Sequence, residues 1–278
     1  MIRFLLAFLL ALAQSLLTPP LAAQERRPSH CIAVADRTPG VEYLHTASFR
    51  APLPDFTVRI RYVSHASFLI QAGDLAAVTD YPGFIGSADF IPDIVTMNHA
   101  HATHFTANPD PRIPHVLRGW GDFGEGVAHH LDLGTMLVRN VSTDIRLGEG
   151  GRERDGNSVF VFEAEGLCIA HLGHLHHEPT DAQYAAIGRM DVVMVPVDGG
   201  YTMAVENMIN VMRRVQARII VPMHWFTDAT LERFLSGMAQ EGFAVARPGT
   251  ETLEVSLRSL PDRPTVIALR PAWLREGE

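Results

Sequence analysis

The sequence predicts a layered α/β or α+β domain, and three observations lead to this prediction. The 278-residue chain is 47% hydrophobic and 19% charged, which suits a globular protein with a sizeable core. Strand-like alternation dominates its first half, as where Val58, Ile60 and Tyr62 alternate with polar residues. Helical periodicity is confined mainly to the second half. This order favours sheets covered by helices.

The first 55 residues differ in texture from the rest. Residues 1–23 combine a short basic start, an apolar run over 4–17 and small residues before Gln24, a pattern typical of a secretory signal peptide cleaved near Ala23. The apolar run is shorter than the ~20 residues of a membrane span, so an uncleaved anchor is the less favoured alternative. We expect residues 24–55 to form an irregular arm and 56–278 the folded domain. The mature protein is expected in the periplasm, without stable membrane association.

Export bears on the two cysteines of the chain, Cys31 and Cys168. They can pair in an oxidising compartment. Cys168 also lies in an apolar, strand-like run, where a buried and inert thiol is equally reasonable. The sequence leaves both alternatives open.

The charge balance limits the classes of partner. The formal net charge is −8, and no run of basic residues interrupts it. Nucleic acid and anionic membrane surfaces are therefore not expected partners. We expect a small-molecule substrate, and the sequence predicts no oligomeric state.

Apolar alternation and apolar runs predict the strands in chain order, with a turn at Gly73-Asp74 joining the second and third. The predicted strands are 57–62, 67–70, 75–79, 93–97, 135–141, 158–163, 167–170, 191–196 and 218–222. Residues 180–183 fit a capping box that opens a short helix. Two longer helices follow, the second capped by Thr227 or Asp228. Their core faces are Val205, Met208, Ile209 and Met212, then Leu231, Phe234, Leu235 and Met238.

Histidines cluster at the ends of three predicted strands, and histidine is the commonest side-chain ligand for zinc. His99, His101 and His104 follow the strand 93–97, a second cluster spans 171–177, and His224 follows 218–222. One cluster alone can be a loop of solvated histidines. Three strand ends that meet at one rim predict a metal site, and the absence of carboxylates within both clusters makes it rich in nitrogen.

These motifs resemble those of the metallo-β-lactamase superfamily, nearest its ascorbate-6-phosphate lactonase-like branch. The family motif His-x-His-x-Asp-His reads His99, His101, Thr103, His104 here. Further matches are Ser64-His65-Ala66, Thr79-Asp80, the segment 171–177, the loop 196–200 and Pro222-Met223-His224. The resemblance covers residues 58–226. It implies a four-layer αβ/βα sandwich with metals at one edge between two sheets.

The chain departs from the family pattern at the metal ligands. Thr103 replaces the aspartate of the second metal, and His174 replaces the bridging aspartate. Residues 142–144 hold no histidine where the first site needs its third ligand, which leaves Asp144 as a reserve. We expect one ion held by His104, His174 and His224, or by a mixture including the remaining candidates, His99 and His101.

Zinc is the expected metal, as one or two ions, with iron or manganese as alternatives. Candidates for orienting a metal-bound water or supporting a ligand are Thr103, His65 and Asp80. Trp120, Trp225 and Tyr201 can line a substrate pocket or pack as ordinary core residues, and both readings stay open.

The resemblance implies hydrolysis of a small ester, lactone or phosphoester by a metal-activated water. Fold does not fix function, and two alternatives remain. One is a non-catalytic protein that binds a metal or ligand on the same fold. The other is a mononuclear iron oxygenase-like enzyme, since nitrogen-rich sites with open positions also suit iron.

Overall fold

Two β-sheets face each other in the computed structural model of the chain, which describes residues 27–32 and 48–277. The six-stranded sheet contains β1 (Val58–Ser64), β2 (Ser67–Ala72), β3 (Leu75–Val78), β4 (Ile94–Met97), β5 (His115–Arg118) and β13 (Thr252–Val255). The eight-stranded sheet contains β6 (His130–Asp132), β7 (Met136–Arg146), β8 (Arg152–Ala164), β9 (Leu167–His171), β10 (Val192–Pro196), β11 (Ile219–Met223), β12 (Ala244–Ala246) and β14 (Thr265–Ile267). Their orders are β13-β1-β2-β3-β4-β5 and β12-β14-β11-β10-β9-β8-β7-β6.

The main core lies between the two sheets. The rings of Tyr62 and Phe68 stack with centroids 4.5 Å apart, and Phe160 and Phe162 of the other sheet are fully buried in the same cluster. Burial of each such side chain contributes about 1.5–3 kcal/mol. The inward alternation predicted for β1 is confirmed, because Val58, Ile60 and Tyr62 all belong to this core.

The opposite face of β1 is also buried, which the alternation did not predict. Arg59 and Arg61 are 1% and 2% exposed. Arg59 forms an ion pair with Glu254 of β13, with 2.6 Å between Nη2 and Oε1, and donates to the carbonyl oxygen of Ala51. Arg59 is therefore buried despite its charge, because Glu254 of β13 and the carbonyl oxygen of Ala51 in the arm serve as its partners.

Three helices cover the outer face of the eight-stranded sheet: α1 (Asp181–Ile187), α2 (Val205–Val215) and α3 (Asp228–Gln240). The capping box at α1 is confirmed between Thr180 and Gln183. The predicted core faces of α2 and α3 are buried, except that Ile209 is only partly covered. In the described part of the chain, the outer face of the six-stranded sheet is covered by loop residues such as Phe49, Ile113 and Leu274. The α/β sandwich is thus confirmed, with its helices on one side.

Every predicted strand is present, but the prediction missed five. β5, β6, β12, β13 and β14 have three or four residues each, too few for a period to stand out. β7 and β8 extend beyond the predicted 135–141 and 158–163 to form a long antiparallel hairpin.

The predicted signal peptide, 1–23, lies outside the described residues. The described parts of the arm, 27–32 and 48–55, contain no helix or strand. None of the helices among the described residues has the length and apolar character needed to cross a membrane.

A disulfide joins Cys31 to Cys168 of β9, which decides between the two alternatives left by the sequence. The same segment is held by Glu163 of β8, which accepts hydrogen bonds from the Ser29 hydroxyl and the His30 backbone. The Nε of Arg139 donates to Glu163 across 2.8 Å, and both side chains of this ion pair are buried. Residues 27–32 are therefore fixed onto the eight-stranded sheet.

Candidate metal centre

The carboxyl ends of parallel strands from both sheets meet at one edge of the sandwich. β3 and β4 are parallel neighbours in one sheet, and β9, β10 and β11 are parallel neighbours in the other. Such strand ends deliver loop side chains from a rigid scaffold. The residues delivered here are His65 from the β1–β2 turn, Asp80, His101 and His104 from the first sheet, and His174, Asp198 and His224 from the second.

Four imidazoles form a compact cluster at this edge. One ring nitrogen from each of His65, His101, His104 and His224 lies within 4.8 Å of the other three. The Nε2 atoms of His104 and His224 are 3.1 Å apart, and both residues are fully buried. Two nitrogens bound tetrahedrally to one zinc ion lie about 3.4 Å apart. The cluster therefore has the dimensions of a metal-binding site.

Two buried carboxylates fix the orientation of two of these rings. Oδ2 of Asp80 lies 2.5 Å from Nδ1 of His104, and Oδ2 of Asp198 lies 2.9 Å from Nδ1 of His224. An ionised carboxylate only accepts hydrogen bonds, so Nδ1 of His104 carries the proton. The negative charge of Asp198 beside Nδ1 of His224 favours the same tautomer there. Both Nε2 atoms then carry lone pairs that face each other. This is the arrangement in which protein histidines bind a metal.

Burial lowers the pKa of His65, His101 and His104, which favours the neutral form of these three rings and preserves their donor atoms. Burial, with the neighbouring histidines His224 and His104, lowers the pKa of His65 to about 3. Burial likewise holds the pKa of His104 well below its usual value. Burial raises the pKa of Asp80 to about 6, so its carboxylate remains ionised at neutral pH. Nε2 of His65 is buried without a hydrogen-bond partner, which costs free energy unless a cation binds there. The donor set fits a transition metal.

His174 lies beside the cluster rather than within the group of four. Its Nε2 is 3.1 Å from Nε2 of His101, and its Nδ1 is 2.8 Å from Nε2 of His176. Nδ1 of His176 accepts from the backbone N–H of Arg146, so Nε2 of His176 carries a proton. The His174 ring also lies 4.9 Å from the rings of His104 and His224, so His174 borders three of the four imidazoles.

Thr103 is exposed, and its hydroxyl is 2.8 Å from Nδ1 of His101. It is therefore placed to orient a ligand candidate from the solvent side. His171 is buried behind the cluster with its Nε2 2.8 Å from the carbonyl oxygen of Ala66, an arrangement that supports the turn before β2.

His99 and Asp144 are the two ligand candidates that the structure places elsewhere. The His99 ring stacks on Trp120 with centroids 5.1 Å apart, and its Nδ1 is 3.4 Å from Glu153. Asp144 forms an ion pair with Arg152 and belongs to neither group of imidazoles. His99 and His101 are two residues apart but face different neighbours. In a strand their side chains would lie on the same face, but the backbone between them is a loop.

Three residues of the centre have left-handed backbone conformations, with φ of 43° at His65, 41° at Asp80 and 59° at His224. Such conformations are costly for residues other than glycine and concentrate at functional sites. The backbone N–H of His224 donates to the carbonyl oxygen of His65 across 2.9 Å. The two rings therefore stay in contact, with centroids 4.0 Å apart.

Two supporting residues escaped the sequence analysis. Asp198 was seen only as part of a Gly-containing loop, and its side chain holds His224. Asn98 donates to Oδ1 of Asp80 and accepts from the backbone N–H of Ser158, so it links the two sheets behind the centre. A polar residue within two positions of the end of a buried parallel strand was the available signal for both.

Comparison with known proteins agrees with this fold. A family model described as a beta-lactamase superfamily domain matches residues 59–224. A UPF0173 metal-dependent hydrolase of Methanoculleus marisnigri is 27% identical and covers 73% of this chain and 94% of its own length. One from Alkaliphilus metalliredigens is 23% identical, covering 61% of this chain and 86% of its own.

Solved structures show the same fold. A Thermotoga maritima protein described as a Zn-dependent hydrolase of the metallo-β-lactamase superfamily has a TM-score of 0.55 at 24% identity, covering 76% of this chain and 98% of that protein. A metallo hydrolase of Ignicoccus hospitalis has a TM-score of 0.53 at 15% identity, covering 78% and 96%. The family model, which matches more than half of the chain, and these shared folds lead to one conclusion: the chain belongs to the metallo-β-lactamase superfamily.

Proposed function

We propose that the protein is an exported metal-dependent hydrolase that acts on a small ester, lactone or phosphoester at a single nitrogen-rich centre. One observation carries this proposal. Four imidazoles converge at the strand ends, and buried carboxylates hold two of them with their Nε2 lone pairs facing inward. The names of the curated relatives and the family membership support hydrolysis as the activity.

The ligands that we assign are His65, His101, His104 and His224. This set adds His65 and His101 to the expected His104 and His224, and it leaves His174 beside the group. Zinc is the metal that this donor set suits best. When bound, zinc supplies a water whose pKa is lowered to about 7, and it polarises the scissile bond.

The remaining polar groups of the centre position the histidine ligands. None of them takes the place of the aspartate that Thr103 replaces in the family motif. Asp80 and Asp198 direct their oxygens to ring N–H groups and, at Asp198, to backbone N–H groups. Thr103 and His174 are the polar groups in contact with His101. Orientation of an incoming water therefore falls to a hydroxyl and an imidazole rather than to a carboxylate.

Export rests on two supports. The N-terminal pattern is that of a signal peptide, and the disulfide between Cys31 and Cys168 is of a kind that persists in oxidising compartments such as the periplasm.

Steady-state hydrolysis by zinc-loaded protein across a panel of esters, lactones and phosphoesters tests the proposal. We expect turnover that falls at least about 100-fold in the double variant His104→Ala with His224→Ala. The matched control, His115→Ala with His129→Ala, removes two histidines outside the cluster and retains the wild-type rate. Tight zinc binding without turnover of any panel member would favour a non-catalytic binding protein. Iron in the purified protein together with oxygen uptake would favour the oxygenase-like alternative.

A further inference from the structure

Two exposed aromatic side chains stand at the rim of the four-imidazole cluster. Tyr201 is 69% exposed and Phe226 is 57% exposed, and their rings meet edge to face with centroids 5.2 Å apart. The ring of Phe226 lies 5.6 Å from that of His65 and 5.4 Å from that of His224. Large exposed rings scattered singly need no explanation, but a pair next to a candidate metal centre marks a binding surface.

The two candidate tryptophans have other neighbours. Trp225 packs against both cores, with its ring 5.3 Å from that of Tyr62. Trp120 stacks on His99, away from the cluster. Of the sequence candidates for a pocket wall, Tyr201 is therefore the one that projects beside the centre, and Phe226 is its partner.

The backbone that carries Tyr201 is held firmly in place. Its N–H donates to Oδ1 of Asp198 across 2.6 Å, and its carbonyl oxygen accepts from Nε2 of His176 across 2.8 Å. Asp198 is also the carboxylate that orients His224. Asp198 thus positions both Tyr201 and the metal ligand His224. We call Tyr201 and Phe226 the aromatic wall. A surface that is ordered before binding loses less entropy when a ligand binds.

The charges near this wall favour a neutral ligand. The chain has no lysine, so its 23 basic residues are all arginines. Arg146 donates to the carbonyl oxygens of the 200–202 loop, and Arg152 is paired with Asp144. These two arginines are committed to the protein, while Asp80 and Asp198 place negative charge beside the centre. With a divalent ion bound, these two carboxylates offset the charge of the metal, and neither arginine offers a free cation to a phosphate group.

We propose that Tyr201 and Phe226 bind the aromatic part of a neutral ester or lactone, with its carbonyl group at the metal centre. Aromatic rings pack edge to face or offset at these separations and gain affinity beyond simple burial of area. The inference rests on the proposed function, because it names the substrate class of the same centre.

A pair of hydroxamates tests the wall without relying on turnover. Benzohydroxamic and acetohydroxamic acid offer the same metal-binding group and differ in a phenyl against a methyl group. By isothermal titration of the zinc-loaded protein, we expect the phenyl compound to bind about tenfold more tightly. In Tyr201→Ala with Phe226→Ala, this preference should fall below about threefold, with zinc content unchanged. Phe56→Ala is the matched control, since Phe56 is 72% exposed and precedes the opposite end of β1.

The outcomes separate this inference from the proposed function. Equal affinity for both hydroxamates, or a preference that survives in the double variant, overturns the aromatic wall and leaves the hydrolase proposal standing. Failure of both hydroxamates to bind zinc-loaded protein contradicts an accessible metal centre and overturns both proposals. Faster turnover of phenyl phosphate than of phenyl acetate overturns the assignment of a neutral substrate.

Discussion

Asp198 connects the metal centre to the loop behind it, and its replacement by asparagine separates these two roles. Its Oδ1 accepts from the N–H groups of Gly200, Tyr201 and Thr202 at 2.8, 2.6 and 3.0 Å. Its Oδ2 accepts from the Thr202 hydroxyl and lies 2.9 Å from Nδ1 of His224. These hydrogen bonds hold the pKa of Asp198 well below its usual value despite burial, which raises it, so the carboxylate is ionised at neutral pH.

Asp198→Asn keeps one carbonyl oxygen for the loop but places an amide N–H₂ opposite Nδ1–H of His224. Two donors then face each other, so the ring must adopt the tautomer with the proton on Nε2, which cannot bind a metal. Loss of such a supporting carboxylate typically weakens metal affinity about 10–100-fold, which corresponds to about 1.4–2.8 kcal/mol. Asp198→Ala also removes the loop acceptor and should lower the free energy of unfolding by about 3–5 kcal/mol.

Zinc affinity is measured by competition with a chromophoric chelator, and unfolding by urea titration of the metal-free protein. We expect Asp198→Asn to bind zinc more weakly than the wild type while its free energy of unfolding stays close to the wild-type value. Asp144→Asn is the control, since that carboxylate pairs with Arg152 outside the cluster. Wild-type zinc affinity in Asp198→Asn would refute the assigned tautomer of His224.

Four further predictions follow from the same structure. Cys31→Ser with Cys168→Ser opens a link across 137 residues and should lower the free energy of unfolding by about 4–5 kcal/mol in urea; an unchanged midpoint contradicts the disulfide. Arg139→Met removes the buried cation that pairs with Glu163 and leaves this carboxylate only its contacts with Ser29 and His30, which should cost about 3–5 kcal/mol in urea; a loss under about 1 kcal/mol would contradict a dependence of the carboxylate on Arg139. His99→Ala should keep the wild-type zinc content, measured by atomic absorption, because its ring stacks on a tryptophan outside the cluster. The metal-free protein should lose at least about 1 kcal/mol between about pH 6 and pH 5, because imidazoles with pKa values of about 3 and about 4 bind protons only on unfolding, and this loss exceeds the gain from Asp80, whose raised pKa of about 6 favours protonation in the folded state; a flat profile in urea titrations would contradict their burial.

The layers of the fold were predictable because hydrophobic periodicity reports which faces are buried. Val58, Ile60 and Tyr62 showed the inner face of β1, and Met208 and Met212 showed that of α2. The convergence of three histidine segments also followed from the sequence, since parallel strands end at the same edge. The short strands β5, β6, β12, β13 and β14 were not predictable, because their pairing is decided by neighbours distant in the chain.

The assignment of individual side chains at the centre depends on loop backbone that no periodicity describes. His99 and His101 are two residues apart, yet the first stacks on Trp120 and the second faces His104. His65 enters the cluster through a left-handed turn after β1. The motif placed His65 near the site, but its position among the four imidazoles required the fold.

Metal content per chain, measured by mass spectrometry on protein purified without added metal, tests the central claim most directly. The account predicts about one transition-metal ion per wild-type chain, lost in His65→Ala with His224→Ala and retained in His99→Ala. Circular dichroism serves as the control that each variant is folded. A folded wild-type protein that holds no metal, or a His65 variant that binds zinc as tightly as wild type, would contradict the four-imidazole centre.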